Sequence, residues 1–100
     1  AFNTKASGSE TLFFNSSSNG CKLATCIQGE VVNALKLNDR GAKGVSRDDR
    51  GGLMLVKTAK PHVILEPLFI DNSADLAVGE ARKVELAVAI ANGCKRFTGA

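Results

Sequence analysis

The stretch that most constrains this chain runs Pro61-His62-Val63-Ile64-Leu65-Glu66-Pro67-Leu68-Phe69-Ile70-Asp71-Asn72. Val63, Ile64 and Leu65 are β-branched or aliphatic without a polar break, the pattern of a strand buried on both faces. Pro67 has no N–H to give a ladder, so the strand is expected to stop near Glu66. One carboxylate is thereby placed at the carboxyl end of a buried strand, where open α/β sheets bind ligands. A carboxylate at such a position also reads, more plainly, as one that leaves the sheet to meet solvent.

The rest of the chain supplies partners for that strand. Thr11-Leu12-Phe13-Phe14 has strand composition, and Ser16, Ser17 and Ser18 offer caps for a following helix. That helix carries Leu23, Ile27, Val31 and Leu35 at a spacing of four and is expected to end near Leu37, before the turn residues Asn38-Asp39-Arg40-Gly41. Residues 38–52 are polar and glycine-rich and read as a long surface loop, a class that is often functional. Leu53-Met54-Leu55-Val56 reads as a strand and Lys57 to Pro61 as a connector. Asn72 or Ser73 is positioned to cap a short helical turn, and Glu80 to Phe97 reads as a second long helix. Ala81, Val84, Leu86, Val88, Ala91 and Phe97 are its expected apolar side, and Gly99 its stop. Strand, helix, strand, strand, helix implies an α/β fold, a twisted and mostly parallel sheet flanked by helices. Three strands leave exposed edges, so the sheet is expected to be an incomplete part of a larger one.

Composition narrows the function. At 100 residues, 44% hydrophobic and 23% charged, the chain forms one globular domain at most. The net charge of +3 is scattered and all five aromatics are Phe, so nothing resembles a stacking platform for nucleic acid. There is no apolar run long enough for a membrane span, and Ala1-Phe2-Asn3-Thr4-Lys5 is not a signal peptide. Cys21, Cys26 and Cys94 are an odd set and read as free thiols, pointing to synthesis in a reducing cytoplasm. The glycines of residues 41–52 lack the strand-loop-helix setting of a phosphate loop, which argues against nucleotide binding.

Taken in order, these segments resemble the C-terminal half of the zinc-dependent N-acetylmuramoyl-L-alanine amidases, the class of bacterial cell-wall amidases and phage endolysins. Gly8-Ser9-Glu10-Thr11-Leu12-Phe13-Phe14 resembles the family strand after its last zinc histidine, and Ser17-Ser18-Asn19-Gly20-Cys21-Lys22-Leu23-Ala24 opens a helix like the family's next one. Arg40-Gly41-Ala42-Lys43 matches the family's RG-x-K turn, and Leu53 through Glu66 its L-x-x-x-x-x-x-P-x-V-L-x-E pattern. Pro67 through Asp75 is similar to the phage-type continuation.

The resemblance implies a peptidoglycan hydrolase that cleaves the amide between N-acetylmuramic acid and L-alanine with zinc-activated water. It implies Glu66 as the catalytic proton carrier and, more loosely, Arg40, Gly41 and Asn72 as substrate contacts. It further implies that residues 1–100 are a single domain, the C-terminal part of an amidase catalytic domain acting on the cell wall outside the cytoplasm. In the family, zinc is held by His, Glu and His upstream of the strand at Thr11, so no zinc ligand is expected in this chain. The one histidine, His62, is four residues before Glu66, about 13 Å along an extended strand, too far to share a metal with it. The chain alone is therefore expected to bind no zinc and to be inactive without the N-terminal part, its expected partner besides peptidoglycan. A non-catalytic muropeptide-binding module, and a structural domain that pairs through sheet edges, are the alternative readings.

Overall fold

The computed structural model describes residues 6–55 and 60–99. Its centre is β1 (Ser9–Phe14), followed by α1 (Ser18–Leu35) and β2 (Asp39–Val45), a helical crossover that brings β2 parallel to β1. A helical turn α2 (Gly52–Leu55) precedes β3 (Val63–Glu66), which pairs antiparallel with β1. The sheet order is β2-β1-β3, so the architecture is α/β as expected, with one parallel and one antiparallel pair. The chain closes with α3 (Ser73–Ala81) and α4 (Lys83–Thr98).

The first helix begins and ends on local chemistry. The Ser17 hydroxyl accepts the Gly20 N–H at 2.9 Å, and Lys36 adopts a left-handed conformation (φ 59°) with its N–H on the Val32 carbonyl. Ile27, Val31 and Leu35 form the core with Ala89 of α4, and Leu23, Val63, Leu65, Val78, Leu86 and Ile90 pack against it.

Four expectations are corrected. Residues 39–45 of the presumed loop form a strand: Arg40 and Lys43 are tied to Glu10 of β1, so polar side chains are satisfied within the sheet and no apolar alternation marks it. Leu53 to Leu55 belong to the helical turn α2, not to a strand, while Val56 and the connector at 57–59 lie outside the described residues. The Gly52 N–H bonds the Asp49 carbonyl and the Leu55 N–H the Gly51 carbonyl, so the backbone winds through consecutive turns. A Cβ on Gly52 would stand 1.9 Å from the Ser46 carbonyl oxygen, which shows how tightly the turn is wound. Third, β3 is half-buried instead of buried on both faces, because it is an outer strand of the described sheet.

The last helix is also divided and rotated. Arg82, with φ −120° and ψ 26°, separates α3 from α4, and its guanidinium donates to the Ala34 carbonyl at 2.9 Å. The face of α4 that meets α1 carries Leu86, Ala89, Ile90 and Gly93, whereas Val84 and Val88 are 69% and 54% exposed. The reason is the close approach at Gly93, where a Cβ would come 2.7 Å from Ile27 Cα. Small residues mark the point of closest approach, flanked by the expected Leu86 and by Ile90.

Candidate functional site

The sheet has two unlike faces. Toward α1, β1 presents Ser9 and Thr11, both fully buried, and Gln28 satisfies them. The Thr11 hydroxyl donates to Gln28 Oε1 (2.9 Å), while Gln28 Nε2 donates to the Ser9 carbonyl (2.7 Å) and to Asp39 Oδ1 (2.8 Å). The Ser9 hydroxyl reaches across to the Pro67 carbonyl at 2.7 Å, fixing the chain just beyond β3.

Side chains alternate along a strand, so Glu10 and Leu12 lie on the opposite face with Ile64 and Glu66 of β3. The register pairs Leu12 with Ile64 and Glu10 with Glu66. Two carboxylates are therefore cross-strand neighbours on the face away from α1. Segment 46–55 covers the apolar part of this face: Leu55 is buried, and a Cβ on Gly51 would stand 2.7 Å from Ile64 Cδ1 and 3.8 Å from Leu12 Cδ1.

Each carboxylate has its own cations. Glu10, whose side chain is only 6% exposed, meets Arg40 Nε at 3.1 Å and Lys43 Nζ at 3.4 Å. The register of β1 with β2 shifts between Ser9 and Thr11, and Gly41 stands at that irregularity with φ 87° and its N–H on Asp39 Oδ1. This bulge leaves both Arg40 and Lys43 on the side of Glu10. Arg40 also lies over the Phe69 ring, 4.8 Å from its centroid, so β2 is linked to the segment after β3. Glu66 is held by both ends of the Arg50 guanidinium: Nη1 donates to Oε2, and Nη2 to Oε1 at 2.9 Å. The hydrogen bond with Glu66, then its charge, and to a lesser degree Glu10, hold Arg50 more firmly protonated, against a small opposing effect of burial. Arg50 hangs from an exposed turn and its side chain is 73% exposed.

Asp75 stabilises the surroundings. It is 1% exposed and accepts the Ser7 hydroxyl at 2.5 Å, the Gly8 N–H at 3.0 Å and the Phe69 N–H at 3.1 Å. Burial works against its charge, but these three hydrogen bonds outweigh it and hold the carboxyl below the usual carboxylate range.

The four residues singled out in the sequence are only partly brought together. Arg40 and Glu66 both belong to the charged array, joined through Glu10. Gly41 stands at the bulge of β2, with nothing within 4 Å of a Cβ built on it. Asn72 caps α3, accepting the Ala74 and Asp75 N–H groups, and donates to the Ala6 carbonyl at 3.0 Å. Those bonds run to α3 and to the chain before β1, not to the carboxylates. His62 precedes β3, and its Nδ1 is buried with no hydrogen-bond partner among the described residues. Sequence reasoning missed Glu10, Lys43 and Arg50. The usable signal was Glu10 itself, an acid on the same side of β1 as the apolar Leu12 and Phe14.

The family model described as N-acetylmuramoyl-L-alanine amidase matches residues 1–96. The chain belongs to this amidase family. Among solved structures, the N-acetylmuramoyl-L-alanine amidase of Clostridium difficile 630 is 24% identical with a TM-score of 0.83, covering 98% of this chain and 52% of that one. The catalytic domain of CwlV, an amidase of Bacillus (Paenibacillus) polymyxa var. colistinus, gives 22% and 0.81, covering 99% and 52%. The catalytic domain of the CD27L endolysin targeting Clostridia difficile gives 26% and 0.76, covering 91% and 47%. The chain thus spans about half the length of these structures. No curated protein matches it.

Zinc dependence is characteristic of the amidase family. The described residues do not fit a zinc ion: no three His, Cys, Asp or Glu side chains gather among them. Glu10 and Glu66 are already bonded to Arg40, Lys43 and Arg50, whereas zinc sites usually take three or four protein ligands. Cys21, Cys26 and Cys94 are free thiols.

Proposed function

We propose that this chain forms the C-terminal part of an amidase catalytic domain and carries the domain's proton-transfer carboxylate, Glu66. The reaction is hydrolysis of the amide joining N-acetylmuramic acid to L-alanine in peptidoglycan. The observation that carries this reading is the position of Glu66. It closes β3 on the sheet face free of the long helices, in a chain that matches the amidase family over residues 1–96.

A carboxylate here is suited to accept a proton from an attacking water and return it to the leaving amine, which leaves as a neutral group. Its side chain is 27% exposed, open enough to meet a substrate and sheltered enough for its charge to matter. Arg50 has to withdraw from at least one carboxylate oxygen for that transfer, and the exposed turn that carries it permits the movement. Arg40 and Gly41 lie on β2, and we assign them contacts with the muropeptide. Asn72 serves the site by holding the segment after β3, its side chain being bound to α3 and Ala6.

The family's zinc supplies carbonyl polarisation and an acidic water. We assign its ligands to the N-terminal part of the domain, the partner that completes the enzyme. The site of action is the cell wall, outside the cytoplasm. No helix among the described residues is long and apolar enough to cross a membrane.

The test is Glu66→Gln in the complete enzyme. Hydrolysis of muropeptides is expected to fall by about 10²–10⁴-fold, the usual contribution of general acid–base catalysis, with zinc content unchanged. Wild-type turnover by that variant refutes the assignment.

A further inference from the structure

We propose that Glu10 is a positioning residue for the amidase reaction, acting through Glu66: a fixed negative charge beside the proton carrier that keeps it basic and opposes the pull of Arg50. This rests on the reading of Glu66 given above.

Glu10 and Glu66 are direct cross-strand partners, which places their Cβ atoms about 5 Å apart on one face. A carboxylate at that distance disfavours a second negative charge and so makes its neighbour a better proton acceptor. Glu10 is buried and cannot swing away into solvent. Arg40 and Lys43 hold it in place, and Arg40 is in turn steadied by Phe69. Arg50 differs in kind. Its fork takes both oxygens of Glu66, but it hangs from a turn at the surface, next to Gly51 and Gly52. The charge of Glu10 reaches Arg50 as well, so the three groups form one electrostatic unit.

The other groups around Glu66 do not replace Glu10. Arg40 and Lys43 come from β2, which is separated from β3 by β1, and both are bonded to Glu10. His62 lies four residues back on the same segment, about 13 Å along an extended chain. Asp75 of α3 is spent on Ser7, Gly8 and Phe69. Glu66 thus faces one cation on an exposed turn, Arg50, and one fixed buried acid, Glu10.

The experiment is the pH dependence of kcat/KM for the complete zinc-loaded amidase, with a carboxyl titration of Glu66 by ¹³C NMR in the metal-free complete protein as a second readout. Glu10→Gln keeps the size but removes the charge and leaves two cations uncompensated. The acid limb and the Glu66 titration are expected to move down by roughly one pH unit. Glu10→Asp, which keeps the charge, is expected to restore most of the wild-type profile. Should Glu10→Gln fail to fold, Lys43→Gln serves instead. It changes an exposed side chain on an outer strand, leaves the charge of Glu10 less compensated and is expected to move both readouts up. A folded Glu10→Gln with both readouts unmoved overturns the inference, as does an unmoved Lys43→Gln where that variant is the one tested. Full activity in Glu66→Gln would instead overturn the underlying assignment, so the two failures are told apart.

Discussion

Asp75→Ala is expected to be among the most damaging single changes in this chain that do not touch the carboxylate pair. Asp75 is buried at the start of α3 and ties Ser7 and Gly8, 68 and 67 residues earlier, to Phe69 and α3. Truncation leaves the Gly8 and Phe69 N–H groups without their acceptor. Each stranded donor costs about 1–3 kcal/mol, and hydrogen bonds to a charged acceptor stand at the upper end. The expected loss is about 3–5 kcal/mol, a large part of the ~5–15 kcal/mol that holds a domain together. Asp75→Asn keeps one acceptor oxygen and is expected to lose about half as much. Urea denaturation measures both. The pH dependence supplies a sharper check. Hydrogen bonding holds the folded-state carboxyl below its unfolded value, so its stabilisation is complete above the unfolded pKa of about 3.9 and fades as pH falls through the lower folded value. The gap between wild type and Asp75→Asn should therefore be flat near neutrality and shrink below about pH 4. A loss under about 1 kcal/mol for Asp75→Ala, or a gap that does not change down to pH 2, refutes the reasoning.

Two further changes probe the packing. In Gly93→Ala the new methyl group meets the backbone of Ile27 at 2.7 Å, so α1 and α4 must separate; the overpacking cost of about 1–3 kcal/mol exceeds the ~1 kcal/mol that alanine gains in a helix. A thermal melt should show a lower Tm, and an unchanged or higher one refutes the close approach. Gln28→Leu strands the Thr11 hydroxyl and the Ser9 carbonyl and is expected to cost about 2–4 kcal/mol in denaturant titration, with Thr11→Val added to it recovering part of the loss. A double variant no more stable than the single one argues against a shared buried network.

The parts of this fold that were legible in the sequence are those whose signals are local. Ser17 ahead of an apolar helix repeat, Pro67 after an aliphatic run and Gly99 after the last basic turn each mark a boundary within a residue or two of where the structure puts it. β2 was illegible because its partners are charges on another strand: Arg40 and Lys43 make sense only once Glu10 lies beside them. The inner face of α4 was misread for a related reason. The closest approach to α1 is made at Ala89 and Gly93, residues with little hydrophobic signal; Leu86 packs there as expected, while Val84 and Val88 are exposed. Of the candidate site, the position of Glu66 at the end of its strand was visible, but its neighbour Glu10 and its ion-pair partner Arg50 come from elsewhere in the chain. Only the register of β1 against β3 brings the two acids together.

That register carries an energetic problem, and its solution explains the distribution of charge. Two like charges directly opposite each other on a sheet repel, and a buried one is costly unless paired. The acids are compensated by different means: Glu10 by cations on a hydrogen-bonded strand, one of them stacked on Phe69, and Glu66 by a cation on a turn. If all three cations were fixed, Glu66 would be a structural ion pair and no more. If none were, the sheet would carry an unbalanced buried acid at Glu10. Strand-borne compensation for the buried carboxylate and turn-borne compensation for the half-exposed one are what the proposed proton-carrying role of Glu66 requires of this sheet.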